Sequence, residues 1–355
     1  MSGDSPDCRR LGTLTAQSGP RGPAGVLPSG PRGPLCAKSR VVESFVQTTI
    51  TDIAKSIDLA KTRIRKADKR ITVFGGPMSN SDGPPSQRLS FLTTLSLVRS
   101  THTKHVITPE NYKDWNHFGI YNDLLQFEED LCTLVDVIVI FLETEGAIAE
   151  FASFLKAPSA LKKIIIGITE AYSDHDSFIN LGLVRHLRAH VQPNDTDPDP
   201  VFTISKQIDP EDSKFISEEI DRRLDLLRGN EAFDKNNVRH IMLLVADFIE
   251  LIQVARKNDI LTFFEHLEIG VNSQRLQQML FVLQRLEIIA LHKASNDSFY
   301  RLYAKEEKFI DYGFKKDSIP RERIKAKFFE KTFAEPRRKL AFKKLSMAAG
   351  VENGT

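Results

Sequence analysis

Three carboxylates and a glycine close an apolar run in VDVIVIFLETEGAIAEFASF, residues 135–154: Glu143, Glu145, Gly146 and Glu150. A run of Val and Ile that stops there and gives way to helical spacing predicts a buried parallel strand feeding a helix. Open α/β sheets place ligand chemistry at the carboxyl ends of their strands, so this junction is the first candidate site. With Gly146 opening the helix, Glu150 is expected in its first turn, where the positive end of the helix dipole keeps a carboxylate ionised. Such a carboxylate, fixed in a cleft, can attack an anomeric carbon or shield the oxocarbenium-like centre that forms as a base departs. The residues alone leave a plainer reading open, since an acid in a first helical turn is favourable without any function. Glu143 and Glu145 read as loop residues, with Glu143 and Gly146 kept as candidate substrate contacts.

A second junction lies in KRITVFGGP, where a strand is expected to stop at Gly75 and Gly76. Two glycines after a strand let the backbone approach a ligand and present amides to it, or simply make a tight turn. Asn80, in the polar loop that follows, joins the candidate substrate-binding set. No GxGxxG and no Walker lysine is present, which excludes the hydride-transfer fingerprint and the P-loop.

These junctions need a sheet to carry them. The 355 residues suffice for two domains, and a net charge of +2 does not by itself imply nucleic acid. Cys8, Cys36 and Cys132 have no metal-ligand or redox spacing, so a reducing compartment and no structural metal are expected. The apolar runs are too short to span a membrane and residues 1–40 lack a secretory signal's apolar centre, which predicts a cytoplasmic protein. SGPRGP occurs twice in those 40 residues, and their Gly, Pro and Arg content predicts a disordered tail. A basic arm touching nucleic acid is the other reading. VVESFVQTTITDIAKSIDLAKTRIRKA is expected as a leading helix, and strands then alternate with helices to about residue 230. Short strands are expected at 105–108 and 201–204 and a longer one at 162–168. A parallel-sheet α/β domain over 41–230 follows.

From 231 to 312 the pattern changes to helix, helix, helix and hairpin, the order of a winged helix-turn-helix. On its third helix, Gln274, Arg275, Gln277, Gln278 and Arg285 form a polar set opposite Leu276, Met279, Leu280 and Leu283. Arg275, Gln278 and, on the hairpin, Lys293 are candidate nucleic-acid contacts, although glutamines and arginines also serve simply to solvate a helix. The segment 313–355 is basic: residues 315–344 hold twelve Lys and Arg against four Asp and Glu. With phenylalanines interleaved, Lys325, Lys327, Arg337 and Arg338 are read as phosphate contacts, or as an ordinary solvated helix.

Between about Ile71 and His190 the chain resembles the nucleoside deoxyribosyltransferase-like family, and most closely the effector proteins of bacterial retrons. ITVFGGPMSN, VDVIVIFLETEGAIAEFASF and SFINLGLVRHLR carry the resemblance, which extends more weakly through the winged helix. It implies that Glu150, in the glycine-x-x-x-glutamate segment, is the nucleophile. Ala152 stands where family transferases usually have glycine. Asn180 and Gly182 match a pocket segment, and Asn180 would hydrogen-bond sugar hydroxyls; without the resemblance it reads equally as a cap or turn residue. The implied reaction is cleavage of a nucleotide's N-glycosidic bond. NAD is the expected substrate, not a cofactor: its nicotinamide is cationic and departs neutral, so no general acid is required. A nucleobase would ask for a proton donor, for which His117 is the candidate.

The expectation is an anti-phage toxin held by a retron reverse transcriptase and its branched reverse-transcribed DNA-RNA, in a homo-oligomer or higher assembly. The rival is a non-enzymatic regulator whose α/β domain senses a nucleotide and whose winged helix binds an operator.

Overall fold

A computed structural model describes residues 34–65, 69–79, 84–108, 119–169, 173, 176–191, 198–204, 207–226, 230–294, 297–303 and 308–348. The expectations for residues 1–33, for Asn80 and for His117 lie outside them. The leading helix α1 (Pro34–Ser56) begins inside the stretch expected to be a disordered tail and stops well before the basic end of the predicted segment. Asp58 ends the helical path by accepting from the amide of Ala60 in a short 3-10 turn. Arg63–Ile64 then forms β1, which pairs antiparallel with both β7 (Glu231–Ala232) and β11 (Ile310–Asp311). Pairing with two distant segments overrides the helical spacing there.

The five expected strands form one parallel sheet: β2 (Ile71–Phe74), β3 (Val106–Ile107), β4 (Val137–Phe141), β5 (Ile164–Thr169) and β6 (Val201–Ile204), in the order β3-β2-β4-β5-β6. Successive strand residues point to opposite faces, and here both faces are covered. Ile138, Ile140, Ile164 and Ile166 pack with residues of α3 (Leu124–Leu134) and α4 (Glu145–Phe154). Val73, Val137, Val139 and Ile165 pack with Phe91 and Leu95 of α2 (Gln87–Leu97) and with Ile216 and Ile220 of α7 (Pro210–Leu226). That accounts for the unbroken apolar runs, each buried aliphatic side chain contributing about 1.5–3 kcal/mol. The short helix α5 (Pro158–Leu161) precedes β5. The helix expected from Ser177 opens as a π-helical stretch, Phe178–Val184, and continues as α6 (Arg185–Val191).

The second half runs in the expected order: α8 (Val238–Ile252), α9 (Lys257–His266), α10 (Ser273–Arg285), then β9 (Ile289–Ala294) and β10 (Asp297–Leu302). A short strand, β8 (Ala255–Arg256), joins the hairpin in the order β8-β10-β9. The basic end forms α11 (Arg321–Ala334) and α12 (Pro336–Ala348).

One core crosses the boundary expected near residue 230. Val46, Ile50 and Ile53 of α1, and Phe127 and Leu131 of α3, share it with Phe248, Phe263, Phe281 and Phe328. Much of the basic segment serves this packing. Arg321 of α11 binds the fully buried Asp247 through both terminal nitrogens, at 2.9 and 3.0 Å, and Lys325 pairs with Glu250. Among the described residues no helix is long and apolar enough to cross a membrane.

Candidate functional site

The sheet order reverses between β2 and β4, because β3 lies on one side of β2 and β4, β5 and β6 on the other. Crevices outside the carboxyl ends of strands at such a switch point are where open α/β sheets bind ligands. A cleft of about 540 Å³ opens there, lined among others by Pro77, Ser79, Ser86, Gln87, Glu143 and Thr144.

Glu143 ties its two walls together. Its Oε1 accepts from the amides of Gly76 at 2.7 Å and Arg88 at 3.2 Å, and its Oε2 accepts from the amide of Gln87 at 2.7 Å. The carboxylate therefore sits on the amino end of α2, which the Ser86 hydroxyl also caps at Leu89. The two glycines make this approach possible. Gly75 has a φ of +153°, closed to most side chains, and a Cβ on Gly76 would lie 2.7 Å from Cβ of Ser86 and 2.9 Å from the Glu143 carboxylate. The glycine turn, expected either to cradle a ligand or simply to turn the chain, closes over an internal carboxylate. Spacing alone carries no sign of this, since 67 residues separate Gly76 from Glu143.

Helix α4 starts at Glu145, with the Thr144 side chain accepting from the amide of Ala147 at 3.2 Å. Glu145 occupies the first turn, whereas Glu150, the sixth helical residue, lies in the second turn, beyond the dipole's short reach. Glu150 is half-buried and shares the helix stripe of the buried Ala147, Phe151 and Phe154. Its charge reaches α3: burial above all pushes the Cys132 thiol up, and the carboxylates of Glu128 and Glu150 add to that against Lys163. An acid on an inward stripe is not the solvated helix-opening residue of the plainer reading. Glu150 does not line the cleft, which Thr144 and Glu143 reach from the loop before its helix. Gly146 is exposed at the start of the same helix.

Asn180 lies in the π-helical stretch, its amide held by the Ser177 hydroxyl at 3.3 Å and its side chain donating to the carbonyl of Ser173 at 3.2 Å. Short π-helical segments recur at functional sites, and nothing in the FINLG sequence signals the widened turn. The stretch packs against α4.

The candidate nucleic-acid residues divide. Arg275 reaches Asp130 on α3 with both terminal nitrogens, the Nη2 bond being 2.7 Å, and Tyr121 donates to the same carboxylate at 2.7 Å. Gln278 is buried and donates to the carbonyl of Ile120 and the side chain of Gln126. Arg338, fully buried, binds Asp259 and Glu335. These three side chains, with Lys325 on Glu250, serve internal packing and not the surface expected from their polarity, because a long cationic or amide side chain satisfies buried acids and carbonyls as readily as phosphates. Lys293 on β9 and Lys327 on α11 are exposed, and Arg337 is exposed while paired with Asp297 at 2.9 Å. Lys339, Lys343 and Lys344 are also exposed on α12. RRKLAFKK has no acid, which was the available signal for them. Helix α12 packs against the hairpin, with Arg301 over the ring of Phe342 at 4.2 Å.

A parallel α/β sheet with a switch-point cleft, locked to a helical unit that ends in a basic helix, defines the class of molecule. Residues 84–291, more than half of the chain, match the STM3845 retron effector protein family, and the chain belongs to it. It is 32% identical over 127 residues to the Escherichia coli protein named "Retron Ec86 putative ribosyltransferase/DNA-binding protein", a match covering 35% of this chain and 39% of that relative. Against the Escherichia coli "Retron Ec73 putative ribosyltransferase/DNA-binding protein" it is 26% identical over 273 residues, covering 71% of this chain and 82% of the relative.

Proposed function

We propose that this retron effector cleaves the N-glycosidic bond of a nucleotide, NAD before others, with Glu150 as the attacking carboxylate. The observation that supports the reading is the switch-point cleft lined by Glu143 and Thr144, the latter capping α4, the helix whose second turn carries the half-buried Glu150 beyond the cleft lining. The names of both relatives, putative ribosyltransferase and DNA-binding, support a glycosyl-transfer chemistry joined to nucleic acid. We read the sheet unit as nucleoside deoxyribosyltransferase-like and α8, α9, α10 with the hairpin as a winged helix-turn-helix. In the reaction Glu150 attacks the anomeric carbon, the glycosidic bond breaks, and nicotinamide leaves neutral with the bonding pair; water then releases the ribosyl group from the carboxylate.

Control is assigned to the retron reverse transcriptase and its branched DNA-RNA, in a cytoplasmic homo-oligomeric or higher assembly. Two arginines give the helical unit its hold on α3: Arg275 on Asp130, and Arg239 of α8 on the carbonyls of Thr133, Leu134 and Val135 and on Asp136. Since α3 leads directly into β4, a partner that binds one arrangement of the helices better than another would bias the site. The rival operator-binding regulator is less well supported, because α10 is largely buried. The experiment is to induce the chain alone, and with its reverse transcriptase and DNA, and to measure NAD, nicotinamide and free nucleobases. NAD loss with nicotinamide release only in the first case is expected; unchanged pools in both sink the enzymatic reading.

A further inference from the structure

Anions bind readily at the amino ends of helices, where amides point outward and the dipole is positive. The amino end of α2, facing the cleft, has such a set in Gly76, Gln87 and Arg88, and the protein has filled it with its own carboxylate. Among the described residues lining the cleft, Glu143 alone carries a formal charge. A phosphate entering beside it meets donors already committed and a like charge at contact distance. A ribose or a cationic ring meets the reverse: a fixed acceptor and an attractive field.

We infer that Glu143 is a specificity-determining residue that excludes phosphate from the glycine turn and turns the uncharged or cationic part of a substrate toward it. The inference deepens the proposed nucleotide reaction. A dinucleotide substrate must then lay its phosphates away from β2 and present a sugar or a cationic base to the cleft.

The test uses binding of inorganic phosphate and does not depend on turnover. Backbone amide resonances of Gly76, Gln87 and Arg88 are followed while phosphate is titrated at constant ionic strength, with chloride as control. In the unaltered protein these three are expected to stay still at millimolar phosphate. In Glu143→Ala, which frees three donors, they should shift, with phosphate bound roughly tenfold tighter or better than in the parent. Saturable shifts of the three amides in the unaltered protein overturn the inference. So does a folded Glu143→Ala protein, with the rest of its amide spectrum retained, that gains no phosphate affinity. If the variant does not fold, adenosine and AMP are compared on the unaltered protein: shifts at the three amides that are larger with adenosine support the inference, and equal or larger shifts with AMP refute it. Absence of NAD cleavage leaves these outcomes unaffected, so failure of the enzymatic reading and failure of this one are separable.

Discussion

The guanidinium of Arg275 and the carboxylate of Asp130 meet in a two-pronged pair that joins α10 to α3, with Tyr121 donating to the same acid. Beside the pair lie the rings of Tyr121, Phe127 and Phe281, whose centroids are 5.5 to 6.2 Å apart. Arg275→Ala leaves a buried acid without its cation and is expected to cost about 1–3 kcal/mol. The double variant with Asp130→Asn should recover part of that in a urea-unfolding cycle. Strict additivity of the two changes would show that the pair is not coupled.

Glu150→Gln keeps size and helix propensity while removing the charge on which the proposed reaction depends. Nicotinamide release is expected to fall by roughly 10³-fold or more with the unfolding transition unmoved. Full turnover by the folded variant would take the nucleophile's role away from this residue.

The basic end divides into structural and surface cations, and their replacement should read differently. Arg338→Ala removes the partner of the buried Asp259 and Glu335 and should destabilise by about 3–5 kcal/mol. Lys339, Lys343 and Lys344 changed together to Glu should leave unfolding nearly unchanged. The slope of binding affinity against salt should become shallower by about 0.9 for each duplex phosphate that the variant no longer neutralises. An unchanged slope would mark the α12 face as solvated surface.

Lys163 gives a pH dependence. Burial, with help from Arg239 and against Asp136, lowers its ammonium to about 7, although Nζ donates to the carbonyls of Cys132 and Thr133 at 3.0 Å. From about pH 7 toward its ordinary 10.5 the unfolded chain holds a proton that the folded chain has released, so stability rises with pH across that window. The Cys132 thiol, kept protonated by burial, works the other way once unfolded thiols ionise, so the comparison belongs below about pH 8.5. Urea midpoints measured there should climb in the parent and lose that climb in Lys163→Met. Parallel slopes in the two proteins would contradict the assignment.

Pattern in the sequence located β2, β4 and β5 because they are buried along nearly their whole length and read as apolar runs between turns, whereas the edge strands β3 and β6 are only partly buried and follow from the alternation of strands with helices. It also located the strand ends, hence the cleft, because glycine and acid clusters interrupt those runs. It did not reveal that Glu143 belongs to α2, since the bonding amides are backbone groups present at every position. Nor did it separate Lys343 from Arg338: both are cations on one basic helix, and only the helix's rotation against the hairpin decides which meets water. The end of α1 was hidden for a related reason, as its cause is pairing of β1 with strands more than 160 residues away.

That pairing bears on how the chain is made. Val46, Ile50 and Ile53 of α1 complete a core whose other members include Phe263 and Phe328, so during synthesis this apolar stripe waits for most of the polypeptide to leave the ribosome. Contacts so distant in sequence close late and leave the nascent chain exposed to aggregation or to chaperones in the meantime. A protein built this way acquires its fully assembled core only after α11 has been synthesised, and a ribosome stalled before residue 321 releases a product lacking α11 and α12 and the cations that neutralise Asp247 and Asp259.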